Sequence, residues 1–182
     1  MNWFTSDPHY YHKNVIQYCN RPFESLDEMH HMLITNWNMF VQNNDRVFVV
    51  GDFSFGNSQQ TKEVLRQLTG RKILIIGNHD KGHSKKWWID AGFEEVVDEM
   101  RMKLGKFDVK LCHYPSGSSS NKTYEAIHKQ ENNETLLCGH VHDRWIMKEQ
   151  IINVGVDVWN FMPVADFQIT RILEGWACQT NS

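Results

Sequence analysis

Two short apolar runs constrain the fold of this chain most strongly. Residues 47–50 and 73–76 are continuous runs of aliphatic and aromatic side chains, and a glycine ends each of them, at Gly51 and Gly77. Such runs are typical of strands that are buried on both faces of a sheet. A weaker helical pattern lies between them at residues 59–68. The order strand, helix, strand predicts a parallel βαβ unit and therefore an α/β fold.

The rest of the chain also divides into short elements. A first strand is predicted at residues 3–6, and Ser25 and Glu28 form a capping-box pattern that begins a helix ending near Asn43. The apolar side chains of that helix recur at spacings of three and four, which predicts one core-facing side: Leu26, Met29, Leu33, Trp37 and Phe40. The later pattern predicts a helix over residues 84–91, a hairpin of 100–104 with 107–111, a short helix over 123–129, and strands at 135–138, 145–147, 151–158 and 167–173.

Length and composition fit one globular domain spanning residues 1–182. The hydrophobic fraction is 41%, and no apolar run approaches the roughly 20 residues of a membrane span. The first residues do not resemble a signal peptide, so we expect a cytoplasmic protein with no membrane partner. The net charge of −3 and the scattered basic residues argue against duplex nucleic acid as a partner. Four scattered cysteines without a CxxC pair argue against a zinc ribbon and a disulfide framework.

Polar segments follow the predicted strands at five places. They are Asp7-Pro8-His9, Gly51-Asp52, Gly77-Asn78-His79-Asp80, His113 and Gly139-His140-Val141-His142. In α/β sheets, ligands bind beyond the carboxyl ends of the strands. The segments together supply carboxylates, an amide and imidazoles in the proportions that a two-metal hydrolytic site needs. The alternative, a set of unrelated polar caps, requires five coincidences in one small domain.

Spacing within the segments adds detail. Asp7 and His9 are two residues apart, which lets both side chains point the same way at a strand end, and His140 and His142 repeat that spacing. Asp52 follows a tight turn, which makes it the natural carboxylate to bridge two cations. Four other histidines lie in or beside predicted helices and are expected at the surface: His30, His31, His83 and His128.

The five segments, in this order and with these separations, resemble the signature of the calcineurin-like metallophosphoesterases, and the match covers nearly the whole chain. Residues 4–9 with Asn14, residues 21–23 and residues 152–159 also resemble a group of small bacterial and phage phosphoesterases. The resemblance implies a four-layer α-β-β-α sandwich of two mixed sheets flanked by helices. The metal site would lie at the carboxyl ends of the strands.

The resemblance also implies roles for individual residues. One divalent cation would be held by Asp7, His9, Asp52 and His142, and a second by Asp52, Asn78, His113 and His140. His79 would lie over the phosphate as a proton donor or electrostatic clamp, oriented by Asp80, and a solvent hydroxide between the cations would be the nucleophile. Mn²⁺ is the first expectation for this mixture of ligands, with Fe, Zn²⁺ or Ni²⁺ as alternatives. His12 and Arg21 are candidate substrate contacts, with ordinary loop residues as the alternative.

The substrate class follows from what the motifs lack. In the protein phosphatase branch arginines accompany the second and third motifs, whereas the stretches here are residues 52–56, DFSFG, and 75–77, IIG. We therefore predict a metal-dependent phosphohydrolase, a phosphodiesterase more than a monoesterase, acting on a small nucleotide-like or cyclic phosphodiester. The alternatives are a nuclease acting on nucleic-acid ends and a non-catalytic, metal-binding interaction module. The serine-rich loop at residues 116–121 has no assigned role, and the oligomeric state is left open.

Overall fold

The computed structural model describes residues 1–117 and 134–180, with the backbone alone for residues 177–180. Its strands form two five-stranded sheets. The first sheet contains β1 (Asn2–Thr5), β2 (Arg46–Val49), β3 (Arg71–Ile75), β4 (Glu95–Val97) and β10 (Val164–Ala165). Their spatial order is β10-β1-β2-β3-β4, in which β1 to β4 run parallel and β10 pairs antiparallel with β1.

The second sheet is also mixed. It contains β5 (Met100–Leu104), β6 (Phe107–Leu111), β7 (Thr135–Cys138), β8 (Met147–Lys148) and β9 (Ile151–Asn153). The spatial order is β5-β6-β7-β9-β8, with β6, β7 and β9 parallel to one another and the two edge strands antiparallel to their neighbours. The hairpin predicted around Gly105 and Lys106 is confirmed as β5 and β6.

Five α-helices complete the described fold: α1 (Lys13–Tyr18), α2 (Leu26–Phe40), α3 (Ser58–Gln67), α4 (Lys85–Ala91) and α5 (Asp166–Thr180). Since α3 connects the parallel strands β2 and β3, the predicted βαβ unit is confirmed. The short helix predicted at residues 123–129 lies outside the described residues. Over residues 1–117 and 134–180, no helix has the length and hydropathy to cross a membrane.

The first sheet buries both of its faces, as its continuous apolar runs predict. One face packs on α2, α3 and α4 in a cluster that includes Trp3, Val47, Leu74, Leu33, Trp37, Val64 and Trp88. The other face packs on the second sheet in a cluster that includes Phe4, Phe48, Ile75, Val109, Leu111, Leu137 and Ile152. The predicted α/β architecture of two mixed sheets with flanking helices is confirmed.

The start of α2 follows the predicted pattern only in part. Ser25 caps the helix, because its hydroxyl accepts a hydrogen bond from the Glu28 N–H at 3.2 Å. The Glu28 carboxylate accepts from the N–H of Glu24 at 2.7 Å, whereas a capping box would bring it to the N–H of Ser25. The helix also ends at Phe40, three residues before the predicted Asn43, and Val41 then adopts an extended conformation.

The predicted strand at residues 167–173 is wrong, because this segment belongs to α5. Ile169 and Leu173 are buried four residues apart, which is helical spacing, and they join the core between the sheets. The Asp166 carboxylate near the helix start accepts a hydrogen bond from the N–H of Asn2 at 3.2 Å. The strand predicted at 151–158 ends at Asn153, because residues 156–158 form a single 3₁₀ turn. The very short β4 and β10 were not predicted.

Candidate metal centre

The carboxyl ends of five strands meet at one edge of the two sheets. The loops after β1, β2, β3, β6 and β7 carry Asp7, Asp52, Asn78, His113 and His140 respectively. Backbone hydrogen bonds join the first two loops, from the Asp7 N–H to the Gly51 carbonyl at 3.1 Å and from the His9 N–H to the Asp52 carbonyl at 3.2 Å. Parallel pairing therefore brings residues that are distant in sequence into one site.

The backbone at this edge is not extended. Left-handed conformations occur at Asp7 (φ 55°), His9 (φ 51°), Asp52 (φ 56°), His140 (φ 69°) and His142 (φ 50°). Residues other than glycine adopt left-handed backbone conformations rarely and at an energetic cost. Their repeated occurrence at one edge is therefore a specific feature of the site. Period-two strand geometry therefore does not align Asp7 with His9, contrary to the prediction. Loop residues in the left-handed region, not a strand end, aim these side chains.

Glycines allow the loops to approach closely. A Cβ atom at Gly77 would collide with the Asp52 carboxylate, and one at Gly139 would collide with Ser6 and Asp7. Gly51 adopts a φ of 93°, and a Cβ there would meet the His113 ring. Any larger residue at these three positions would displace a candidate metal ligand.

The candidate ligand atoms form two groups within the described residues. One group contains Asp7, His9 and His142, the other contains Asp52, His113 and His140, and in each group the ligand atoms lie within 4.8 Å of one another. The Asp52 Oδ2 lies 3.4 Å from the Nε2 of His113, which belongs to the same group. It also faces the first group, because it lies 3.8 Å from the His9 Nε2. The Asn78 Oδ1 lies 3.1 Å from the same His113 nitrogen. All seven predicted ligands thus lie together.

The first group fits a bound cation because several of its buried polar atoms have no hydrogen-bond partner among the described residues. These atoms are the Asp7 Oδ1 and both ring nitrogens of His9. Buried polar groups without partners are costly, so their concentration in one place fits an ion-binding site. The site can therefore hold a divalent cation through a carboxylate and imidazoles.

The second group fits a cation by a different route. The His113 Nδ1 lies 2.8 Å from the Val50 carbonyl oxygen, which can only accept, so this nitrogen carries the proton. The Nε2 atom is then the one directed at Asp52 and Asn78. A ring held by a backbone carbonyl in this way is the usual arrangement of a metal-ligating histidine.

The charges of the site compensate one another when no cation is bound. Burial lowers the pKa of His113, but the Asp52 carboxylate outweighs it and raises the value to about 9. Burial likewise opposes protonation of His142, but hydrogen bonds with Asp157 and Cys19 raise its pKa to about 11. Burial raises the pKa of Asp7, yet the neighbouring histidines lower it overall. The raised pKa values of His113 and His142 indicate that the buried carboxylates favour positive charge at this edge.

Asp80 does not orient His79, contrary to the prediction. Its buried carboxylate accepts three backbone hydrogen bonds, from Gly77 and Asp52 at 2.8 Å and from Phe53 at 2.9 Å. Burial and the nearby Asp52 charge raise the pKa of Asp80 to about 6, against the effect of these donors. With its oxygens used in this way, Asp80 fixes the loop that carries Asp52.

His79 stands at the surface of the site. Its backbone N–H donates to the Asp52 Oδ1 at 2.9 Å, and its Nε2 lies 3.8 Å from the Asp52 Oδ2. The side chain is 44% exposed, whereas that of Asp52 is 2% exposed. The ring is therefore fixed beside the candidate ligands and still reaches solvent.

Arg21 does not contact the site surface, which corrects its prediction as a substrate contact. Its side chain is fully buried and forms a bidentate ion pair with Asp157, at 2.7 and 3.0 Å. The same guanidinium donates to the backbone carbonyls of Asp7 at 2.8 Å and Pro8 at 3.0 Å. Since these partners occupy the whole fork, Arg21 braces the first loop.

Several residues of the site were not predicted from the sequence, among them Asp157, Cys19 and Phe55. Asp157 lies behind His142, with its Oδ2 at 3.4 Å from the His142 Nδ1, and Cys19 completes that cluster. A lone acidic residue in the apolar stretch 154–159 was the available signal. Phe55 packs on the rings of His12 and His79, with ring centroids 4.2 and 4.5 Å apart, and no pattern distinguished it from a core aromatic.

Two other histidines differ from each other in placement. His12 lines a pocket of about 380 Å³ at the site, together with His9, Val15, Tyr18, Cys19, His79, His142, Asp143 and Arg144. His30 was expected at the surface but is buried, because its Nε2 accepts a hydrogen bond from the Tyr11 N–H at 2.9 Å. It thereby anchors α2 to the loop that carries His9.

Comparisons with known proteins identify the family of this chain. Residues 26–163 match the calcineurin-like phosphoesterase superfamily domain, a range that begins after Asp7 and His9. An uncharacterised protein of Methanocaldococcus jannaschii is 32% identical over 181 residues, covering 94% of this chain and 90% of that protein. The gene 66 protein of Mycobacterium phage L5 is 29% identical over 182 residues, covering 86% of each chain.

A solved structure shares the fold. The crystal structure of a protein of unknown function from Aquifex aeolicus superposes with a TM-score of 0.72 and 26% sequence identity, covering 94% of this chain and 98% of that one. The family match covers well over half of the whole chain. The chain therefore belongs to the calcineurin-like phosphoesterase superfamily, a family of phosphoric ester hydrolases.

Proposed function

We propose that this protein is a phosphodiesterase that depends on two divalent cations, with Mn²⁺ as the first expectation. The observation that carries the proposal is the position of the Asp52 carboxylate, which faces His9 of one ligand group and His113 of the other. Asp7, His9 and His142 would complete the ligands of the first cation, and Asn78, His113 and His140 those of the second. Mixed oxygen and imidazole ligation suits Mn²⁺ and also Fe, Zn²⁺ or Ni²⁺.

The cations would supply Lewis acidity, which lowers the pKa of water and neutralises the charge that develops on the phosphoryl oxygens. The chain itself supplies the proton for the departing group. As a water oxygen bonds to phosphorus and the bond from phosphorus to the leaving oxygen breaks, His79 donates a proton to that oxygen. The proton that the water loses passes to solvent. The exposure of the His79 ring beside the buried Asp52 supports this role.

The substrate preference follows from the positive charge that the site offers. A monoester dianion carries more negative charge than a diester, and enzymes commonly meet that charge with arginine. Arg21, a candidate phosphate contact, is neutralised by Asp157 and turned inward, and Arg144 is the one arginine among the described residues that line the pocket. This supports a diester, of the size of a nucleotide or a cyclic nucleotide, as the substrate.

The test is a pair of assays on one preparation of the protein. With Mn²⁺ present, we expect hydrolysis of bis-p-nitrophenyl phosphate to exceed that of p-nitrophenyl phosphate, and EDTA to abolish both. Asp52→Asn should lose this hydrolysis. Its matched control is Asp108→Asn, because Asp108 on β6 is an aspartate that is 60% exposed. Stoichiometric metal without turnover of either ester would contradict the proposal and favour a non-catalytic module.

A further inference from the structure

The pocket beside the candidate ligands is lined by residues of unlike character. His9 and His142 of the first ligand group line it together with His79. The helix α1 contributes Val15, Tyr18 and Cys19, and the segment after His142 contributes Asp143 and Arg144. Its volume of about 380 Å³ falls in the range of about 300–1,000 Å³ that is usual for small-molecule sites.

An aromatic cluster lies at this pocket. It consists of His12 and Tyr18, which line the pocket, and Phe55, which packs on His12, and we call these three residues the aromatic wall. The His12 ring centroid lies 6.1 Å from that of Tyr18 and 4.2 Å from that of Phe55. Tyr18 is 71% exposed and Phe55 is 41% exposed. Large aromatic side chains normally bury most of their area, so an exposed pair joined by a histidine beside a polar site indicates a binding surface.

The aromatic wall also extends to the chemistry. Phe55 packs on the His79 ring, with centroids 4.5 Å apart, and His79 is the proton donor of the proposed function. A leaving group that receives its proton from His79 must therefore lie close to these rings. The flat faces of Phe55 and Tyr18 offer it stacking, which is sequence-tolerant because every nucleobase has a π-face.

We propose that the aromatic wall binds the nucleobase of a nucleoside whose phosphate lies over the two ligand groups, so that the substrate class is a nucleoside phosphodiester. This inference rests on the proposed function and specifies the substrate class of that function. The volume of the pocket suits a single nucleoside, and Arg144 also lines it.

The experiment compares two ligands that share a phosphate but differ in the base. Binding of AMP and of ribose 5-phosphate to the Mn²⁺-loaded protein is measured by titration calorimetry, which needs no turnover. We expect AMP to bind at least about tenfold more tightly, the lower end of what base stacking on aromatic side chains contributes. Tyr18→Ala and Phe55→Ala should each reduce that ratio, whereas Tyr18→Phe should keep it.

A matched control is available at the other end of the first sheet. Phe40 at the end of α2 is 41% exposed, the same as Phe55, and it packs on Trp3 away from the candidate ligands. Phe40→Ala should leave the AMP preference unchanged. Equal binding of AMP and ribose 5-phosphate, or an equal loss of preference in Phe40→Ala, would overturn the inference.

The two proposals fail in different ways. Base-dependent binding that disappears in Tyr18→Ala, without turnover of any phosphoester, would support the nucleobase site and contradict the proposed catalysis. Turnover of bis-p-nitrophenyl phosphate without preference for AMP would support the proposed catalysis and contradict the nucleobase site.

Discussion

The two ligand groups reach the same edge of the fold with different support. In the first group, Asp7 and His9 have buried polar atoms without partners among the described residues. In the second group, His113 is already fixed by the Val50 carbonyl, and its remaining nitrogen faces Asp52. A cation at the first group would therefore satisfy polar atoms that the protein leaves unpaired, whereas the second group is arranged by contacts within the protein.

The outer support differs as well. Behind the first group lies the buried ion pair of Arg21 with Asp157, which holds both the Asp7 loop and His142. The second group is supported by close backbone packing at Gly51 and Gly77, where any Cβ atom would collide with a neighbour. Close packing at glycines thus supports both groups, since Gly139 approaches Asp7, and a buried ion pair adds support behind the first. Substitutions should be able to separate them.

The largest effect is expected where the groups meet. Asp52→Ala removes the carboxylate that faces both, so we expect the metal content measured by atomic emission to fall from two ions to fewer than one, with loss of hydrolysis. Asp108→Ala should retain both ions, because Asp108 is exposed and paired with Lys103 away from the candidate ligands. Two tightly bound ions in Asp52→Ala would rule out a shared ligand.

A second substitution separates chemistry from metal binding in both groups. His79→Ala should lower kcat by about 10²–10⁴-fold, the usual contribution of general acid catalysis, with metal content unchanged. His83→Ala is the matched control, because His83 is exposed and stacks on Trp87 outside the pocket. An unchanged kcat in His79→Ala would remove this residue from the mechanism.

The electrostatic brace offers a way to weaken the first group alone. Asp157→Asn keeps the shape of the side chain but removes the charge that faces His142 and Arg21. We expect the metal affinity of the first group to fall by about 10–100-fold, as is usual when a partner of a ligating histidine is changed. Calorimetric titration with Mn²⁺ would measure it. Equal weakening of both affinities would mean that the brace supports the whole edge.

The smallest effect concerns pH. In the metal-free protein the His113 pKa is raised to about 9 by Asp52, although burial opposes this, so below that value a cation must displace a proton from the ring. Affinity at the second group should therefore rise by up to about tenfold per pH unit until pH approaches about 9, and proton release should accompany binding. Calorimetry in two buffers of different ionisation enthalpy would detect this proton. Binding without proton release would contradict it.

The sequence predicted the elements that recur as patterns. Continuous apolar runs ended by Gly51 and Gly77 predicted buried parallel strands, and parallel strands end at a common edge, so the meeting of Asp7, Asp52 and His113 followed from topology. The roles of the individual ligands remain predictions. Residues 167–173 of α5 match a strand pattern as well as a helix pattern, because over so short a window their apolar side chains fit both a period of two and a period of 3.6 residues.

What could not be predicted depends on tertiary contacts. The left-handed backbone at Asp7 and His9 is set by hydrogen bonds to the neighbouring loop at Gly51 and Asp52. Arg21 turns inward because Asp157, 136 positions later, meets it there, and no local pattern records such a partner. His30 is buried for the same kind of reason, since only the fold brings it to Tyr11.

The most direct test of this account is a crystal structure of the Mn²⁺-loaded protein with anomalous scattering recorded at the manganese edge. We predict two anomalous peaks about 3.5–4 Å apart, as in other two-metal sites, with the Asp52 carboxylate between them. A single peak, or two peaks that do not share Asp52, would contradict the account.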